Sequence, residues 1–259
     1  MLALPFLSAA ILSRQFRWPE IAALLAAWAA FTSKDPLAAI ARHRLLWKKP
    51  LAEAAAPLRT ASGKLILLAL CAAALLYSGP LVPWLILFAA AGLFAVYAIW
   101  VQMRNRQRAP WFQVLSAIAL TSSSLAAALA ATGSLPSWCW PLWLLSALQA
   151  SAGIFLVHAR LDAMIASRKK QPLPNSARRA SWIAQASLAI AAVVAAALHL
   201  LWIAAALTLA AVAYSLELMR QRKPESLNTP LRRIGLQALT LACIYSALIV
   251  TGLWNYPAN

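Results

Sequence analysis

The chain has 259 residues, of which 63% are hydrophobic, with a mean hydropathy of +0.72 and a formal net charge of +17. Soluble domains sit near half apolar, so a water-soluble globule is excluded. A charge this large is common in nucleic-acid binders, but here the basic residues fill short gaps between long apolar runs, which excludes that class as well.

Spanning a hydrocarbon core of about 30 Å takes about 20 apolar helical residues. Nine segments qualify or come close. The first, Met1–Ser13, is short. The second covers Pro19–Thr32 and can continue to Ile40. Then come Gly63–Ser78, Leu81–Gln102, Pro110–Thr132 and Pro136–Val157, and finally Ala180–Leu198, Leu200–Leu218 and Ile234–Trp254. Alternation of period two is absent, which argues against a barrel, and lipid leaves helix as the remaining way to satisfy the backbone. The expected fold is all-α: a polytopic membrane helical bundle of about nine transmembrane helices, with residues 1–259 forming a single transmembrane domain.

The gaps alternate in character. Ser78-Gly79-Pro80, Gly133-Ser134-Leu135-Pro136 and the join near His199 hold no Lys or Arg. The gaps after spans two, four, six and eight hold 21 of the 23 basic residues, the exceptions being Arg14 and Arg17 between spans one and two. The positive-inside rule makes the basic side cytoplasmic, so the N-terminus is expected inside and the C-terminus outside, in a bacterial cytoplasmic membrane. Trp84, Trp138, Trp140, Trp143 and Trp254 gather near the uncharged gaps, the headgroup level that indoles favour. Small-residue runs at Ala89–Gly92, Ala126–Ala128 and Ala195–Ala197 read as packing faces. Cys71, Cys139 and Cys243 are far apart and read as small core hydrophobes. No cleavable signal peptide is expected: no positive charge precedes Leu2, and Pro5 interrupts the first apolar run.

Basic loops after spans two and six give the chain an order that resembles the UbiA-type intramembrane prenyltransferases. That resemblance implies nine helices, an inside N-terminus and aspartate-rich motifs in those loops. There, carboxylates hold magnesium, and magnesium holds an isoprenyl diphosphate. On this sequence the first motif retains Asp35 but meets Ala38 and Arg42 where further acids belong. The second begins at His158 and retains only Asp162. One carboxylate per loop is a weak magnesium cage, so no metal or other cofactor is expected and catalysis of that kind is not.

Leu4-Pro5-Phe6-Leu7 in the first span and Lys34-Asp35-Pro36-Leu37 after the second resemble the YwiC-like family of bacterial integral membrane proteins. The resemblance implies a prenyltransferase-like bundle without the aspartate sets, and it supplies no substrate. Members of that family carry a Lys-Glu-His-Gly stretch just before the Leu-Pro-Phe-Leu segment. With that stretch missing, either a start upstream of Met1 or the absence of that polar site is the expectation, and the short first span favours the former.

Candidate ligand-binding residues are Asp35, Arg42, Arg44, Gln149, His158, Arg160 and Asp162. His158 and Asp162, four apart, share a face if the helix continues, and are read either as an acid–base pair or as a solvated helix end. Asp35 reads as a ligand residue or as the N-cap of a helix with Pro36 at its first position. Gln149 lies mid-span with Ser146 and Gly153 on its face, and Gln113, Ser116 and Ser123 form a similar stripe on span five. Either set is interhelical glue or the wall of a pocket. Glu217 is expected to pair with Arg220 one turn on. The basic loops attract anionic lipid, and Arg42, Arg44, Arg160 and Arg168 are candidates to converge on a phosphate-bearing headgroup.

The expected partners are membrane lipids, including an anionic or isoprenoid ligand, and not nucleic acid. The leading expectation is a non-catalytic bundle that binds a lipid, isoprenoid or other amphipathic molecule. The alternatives are a small-solute transporter and a prenyltransferase with a degenerate metal site. Transporters favour broken helices and ionisable residues at the midplane, and the span interiors here show no acid or base beyond the helix ends.

Overall fold

The computed structural model describes residues 2–46, 48, 55–169, 175–221 and 231–256. Lys49, Lys170, Arg222 and Lys223, counted above with the basic loops, lie outside the described residues. Within them every regular element is helical. In chain order these are α1 (Ala3–Ser13), α2 (Trp18–Ala41) running into a π-helical turn (Arg42–Leu46), α3 (Ala55–Ser78), α4 (Leu81–Met103), α5 (Pro110–Thr121), α6 (Ser123–Thr132), α7 (Cys139–Lys169), α8 (Asn175–Ala197), α9 (Leu201–Arg220) and α10 (Leu231–Leu253). Counting α5 and α6 as one rod, seven segments are long and apolar enough to cross a bilayer. The other two are α2, which is long enough but carries Lys34 and Asp35, and α1, whose 11 residues rise about 16 Å, roughly half a hydrocarbon core.

The helices pack mainly on chain neighbours. The α3–α4 hairpin leans on α2, α2 and α1 pack on α6, α5 packs on α7, and α7, α8, α9 and α10 follow one another, with α10 returning to α1. One apolar core runs through the bundle, from Phe6 on α1 through Leu75, Leu129, Leu142, Leu188 and Leu207 to Ile249 on α10. Outward faces are also apolar: Ile66, Leu70, Leu93, Val96, Ile190, Val193 and Leu236 are all more than half exposed, as a lipid environment requires and water would not tolerate.

Four local expectations are corrected. Asp35 does not cap a new helix. It lies within α2, which continues through Pro36. Proline lacks the N–H that would bond the carbonyl four residues back, here Thr32. Lys64 Nζ of α3 donates to that carbonyl instead, at 2.8 Å, so the polar group freed by Pro36 is satisfied from the neighbouring helix. The fifth span covers Pro110–Thr132 as expected, as two consecutive helices. It breaks at Ser122, where Thr121, Ser122 and Ser124 turn their hydroxyls back onto the carbonyls three residues earlier (3.0, 2.7 and 2.9 Å) and compete with the helical ladder. The sixth span does not end near Val157, because α7 continues to Lys169 and carries His158, Arg160 and Asp162 on helix.

The Ala89–Gly92 run is not a packing face: these residues are exposed and Gly92 has no atom within 4 Å of where a Cβ would sit. Ala127 and Ala128, by contrast, are fully buried on α6. Trp84 and Trp138 are core residues rather than interfacial anchors, and Trp84 packs so close to Gly79 that a Cβ there would meet its Nε1 at 2.7 Å. Trp140 and Trp254 remain exposed. Arg14, one of the two cations away from the basic side, donates to the Trp254 carbonyl at 2.6 Å and stacks over that indole at 4.3 Å, which joins the ends of α1 and α10.

Candidate functional site

The pattern of α7 sets the site. Ser146, Gln149, Gly153, Val157 and Arg160 recur at spacings of three and four, so one face of the helix carries them all. Opposite stands α9, whose Tyr214, Glu217 and Gln221 repeat at the same spacing. Between these faces lies a cavity of about 500 Å³ that is closed by Gln113 and Thr121 of α5, Leu4 and Pro5 of α1, and Ala238, Ala242 and Ser246 of α10. From Gln149 to Arg160 it follows α7 for about 16 Å, roughly one leaflet of the hydrocarbon core. Its wall is mostly apolar, and it opens beside the exposed Leu239 of α10.

Polar groups are ordered by depth. At the end that carries the basic loops, Arg160 Nη1 donates to Glu217 Oε1 at 2.8 Å, with side chains only 7% and 25% exposed. Glu217 therefore reaches across to α7 rather than pairing along its own helix with Arg220 as expected. The lower dielectric between helices makes the buried cross-helix pair stronger than a solvated one. Close by, Gln221 is 6% exposed, and its Nε2 has no hydrogen-bond partner among the described residues. Deeper in, Gln149 Nε2 donates to the Tyr214 hydroxyl at 3.3 Å. Gly153 makes that contact possible: a Cβ at this position would come within 3.3 Å of the same hydroxyl.

His158 does not pair with Asp162. Its Nε2 is 3.1 Å from Gln113 Oε1 on α5, which fixes α5 against α7 beside the cavity. Asp35 and Arg42 belong to a separate cluster where α2 meets the end of α4. Gln102 Nε2 donates to Asp35 Oδ1 at 3.2 Å, and Arg42 donates to Asn105 Oδ1 at 3.0 Å as well as to the Gln102 carbonyl. Arg44 is exposed on the π-helical turn and Arg168 is exposed near the end of α7. The four arginines considered for a shared headgroup are thus held separately: Arg42 by α4, Arg160 by Glu217, and Arg44 and Arg168 at the surface. Of the seven candidates, Gln149 and Arg160 line the cavity, and His158 braces it through Gln113. Among the described residues no group of three or more His, Cys, Asp or Glu side chains could hold a metal ion.

Tyr214, Glu217 and Gln221 were the cavity residues that sequence reasoning missed. Their recurrence on one face of an otherwise apolar helix was the available signal.

Apolar outward faces, a shared core and membrane-length helices define a multi-pass helical membrane protein, here with a polar-ended internal cavity. Residues 1–129 match the family model described as YwiC-like protein, so that part of the chain is similar to that family. No curated protein matches the sequence.

Proposed function

We propose that the chain is a non-catalytic membrane protein that holds an amphipathic molecule, a lipid or an isoprenoid, in the cavity between α5, α7, α9 and α10. The observation that carries this reading is the grading of the cavity wall. The charges, Arg160 and Glu217, are confined to the basic end beside Gln221 and Gln113, while the deeper wall is uncharged, combining Leu4, Pro5, Ala150 and Ala242 with Ser146, Gln149 and Tyr214. A volume of about 500 Å³ falls within the range of small-molecule sites. A head at one end and a chain toward the bilayer centre match that grading. Gently extracted protein is expected to retain a stoichiometric amphiphile in native mass spectrometry. Ala242→Phe, which projects a ring into the cavity, should lose it while staying folded; equal retention by both proteins would remove the cavity from consideration.

The same reading places the protein in the bacterial cytoplasmic membrane with its basic end inside. Charge segregation supports this orientation. Cys139 cannot report it, because its side chain is fully buried. Ser134 and Lys169, exposed at opposite ends of the bundle, can. In a background lacking the native cysteines, Ser134→Cys is expected to react with an impermeant thiol reagent on intact cells, and Lys169→Cys only after permeabilisation. The reverse pattern would invert the topology.

One observation favours a second reading, passage of a small solute: the break at Ser122 lies beside Thr121 on the cavity wall, and interrupted helices mark transporter sites. A proteoliposome uptake screen tests it.

A further inference from the structure

From the charge balance of the cavity wall we infer that the head of the bound amphiphile is uncharged and rich in hydrogen-bond acceptors. This rests on the amphiphile reading above and narrows it. Among the described residues the ionised side chains on the wall are Arg160 and Glu217, of opposite charge and 2.8 Å apart. The charge of the Arg160 guanidinium is thus already countered by a carboxylate before an anion arrives. An anionic head at this end would also sit beside the Glu217 carboxylate in a low dielectric, where like charges repel strongly. A cationic head meets the mirror-image objection from Arg160, which cannot give up its proton.

What the wall does offer is neutral. Gln221 Nε2 is a buried donor without an acceptor among the described residues, and a donor in that position is costly until an acceptor arrives. Gln113 and the Gln149–Tyr214 pair extend the neutral polar surface inward. An ester or ketone carbonyl, or a hydroxyl oxygen, satisfies Gln221 without disturbing the ion pair. A glyceride, a long-chain alcohol or a quinone-type head has this chemistry, whereas a phosphate or a free carboxylate does not. The basic loops keep their separate role of drawing the bundle's surface toward anionic lipid.

Chain-matched probes isolate the head. Purified full-length protein is titrated with 1-oleoylglycerol and with oleate, at a pH where the acid is ionised, and occupancy is read by native mass spectrometry. The glyceride is expected to bind about tenfold tighter or better. Glu217→Gln leaves Arg160 an acceptor but no counter-charge, and should reverse the order by raising oleate affinity about tenfold. The double change Arg160→Gln with Glu217→Gln removes both charges and should restore the preference for the glyceride, which keeps the test intact if the single variant folds poorly. Gln221→Leu should weaken the glyceride and leave oleate unchanged. Tighter binding of oleate by the unaltered protein would overturn the uncharged-head inference while sparing the cavity. Saturable binding of neither probe would count against the amphiphile reading itself.

Discussion

Glu217→Ala is expected to cost the bundle about 3–5 kcal/mol, because it takes the carboxylate away from a buried guanidinium. Arg160 has only 7% of its side chain exposed, and its carboxylate partner lies 2.8 Å away on another helix. Removing the arginine instead is expected to cost less, about 2 kcal/mol, since Glu217 is a quarter exposed and less deeply buried than its partner. Replacing both by leucine should return stability to within about 1–2 kcal/mol of the starting protein, as buried pairs exchanged for apolar ones of similar volume commonly do. Unfolding in mixed micelles of mild and denaturing detergent, followed across the single variants and the double one, measures all three. A double variant as unstable as Glu217→Ala would show that the pair does more than neutralise itself.

Gly252→Leu is expected to be the second large effect, about 1–3 kcal/mol from overpacking. At Gly252 the end of α10 crosses the start of α9 so closely that a Cβ would meet Ile203 Cγ1 at 2.8 Å, the Trp202 Cβ at 3.2 Å and the backbone nitrogen of Ile203 at 3.3 Å. Ile203 is 4% exposed and cannot swing away, and a backbone nitrogen cannot yield at all without moving the helix. Gly92→Leu on α4 is the control. Nothing lies within 4 Å of that position, so leucine there points into lipid and should change stability by no more than about 0.5 kcal/mol. The same micelle assay reads both. Equal effects would mean that glycine acts through helix propensity rather than through close approach.

The architecture was legible because lipid imposes a simple rule on sequence: apolar runs of spanning length, separated by charged gaps. The rule fixes helices and their count, and it does so without reference to partners. It carries less information about what faces what, since lipid-facing and bundle-facing residues are equally apolar. That is why Ala89–Gly92 was read as a packing face and Trp84 as an interfacial anchor, when the first faces outward and the second is buried. Polar residues inside spans escape this degeneracy. Gln149 pointed to the cavity because an amide at that depth needs a partner, and Tyr214 is that partner. Glu217 was assigned the wrong partner because sequence spacing sees only its own helix, and Arg160 lies 57 positions away. Pro36 reads as a helix start in the sequence because the compensating donor, Lys64, belongs to a different element.

The interruption at Ser122 divides one membrane rod between two sets of neighbours. Its first part, α5, is fastened to α7 through His158 and Trp143, whose Nε1 donates to the Ile118 carbonyl at 3.1 Å. Its second part, α6, is clasped by α1 and α2. The wall of the chamber and the seat of the short first helix are thus two ends of a single crossing, which changes neighbours partway through the bilayer.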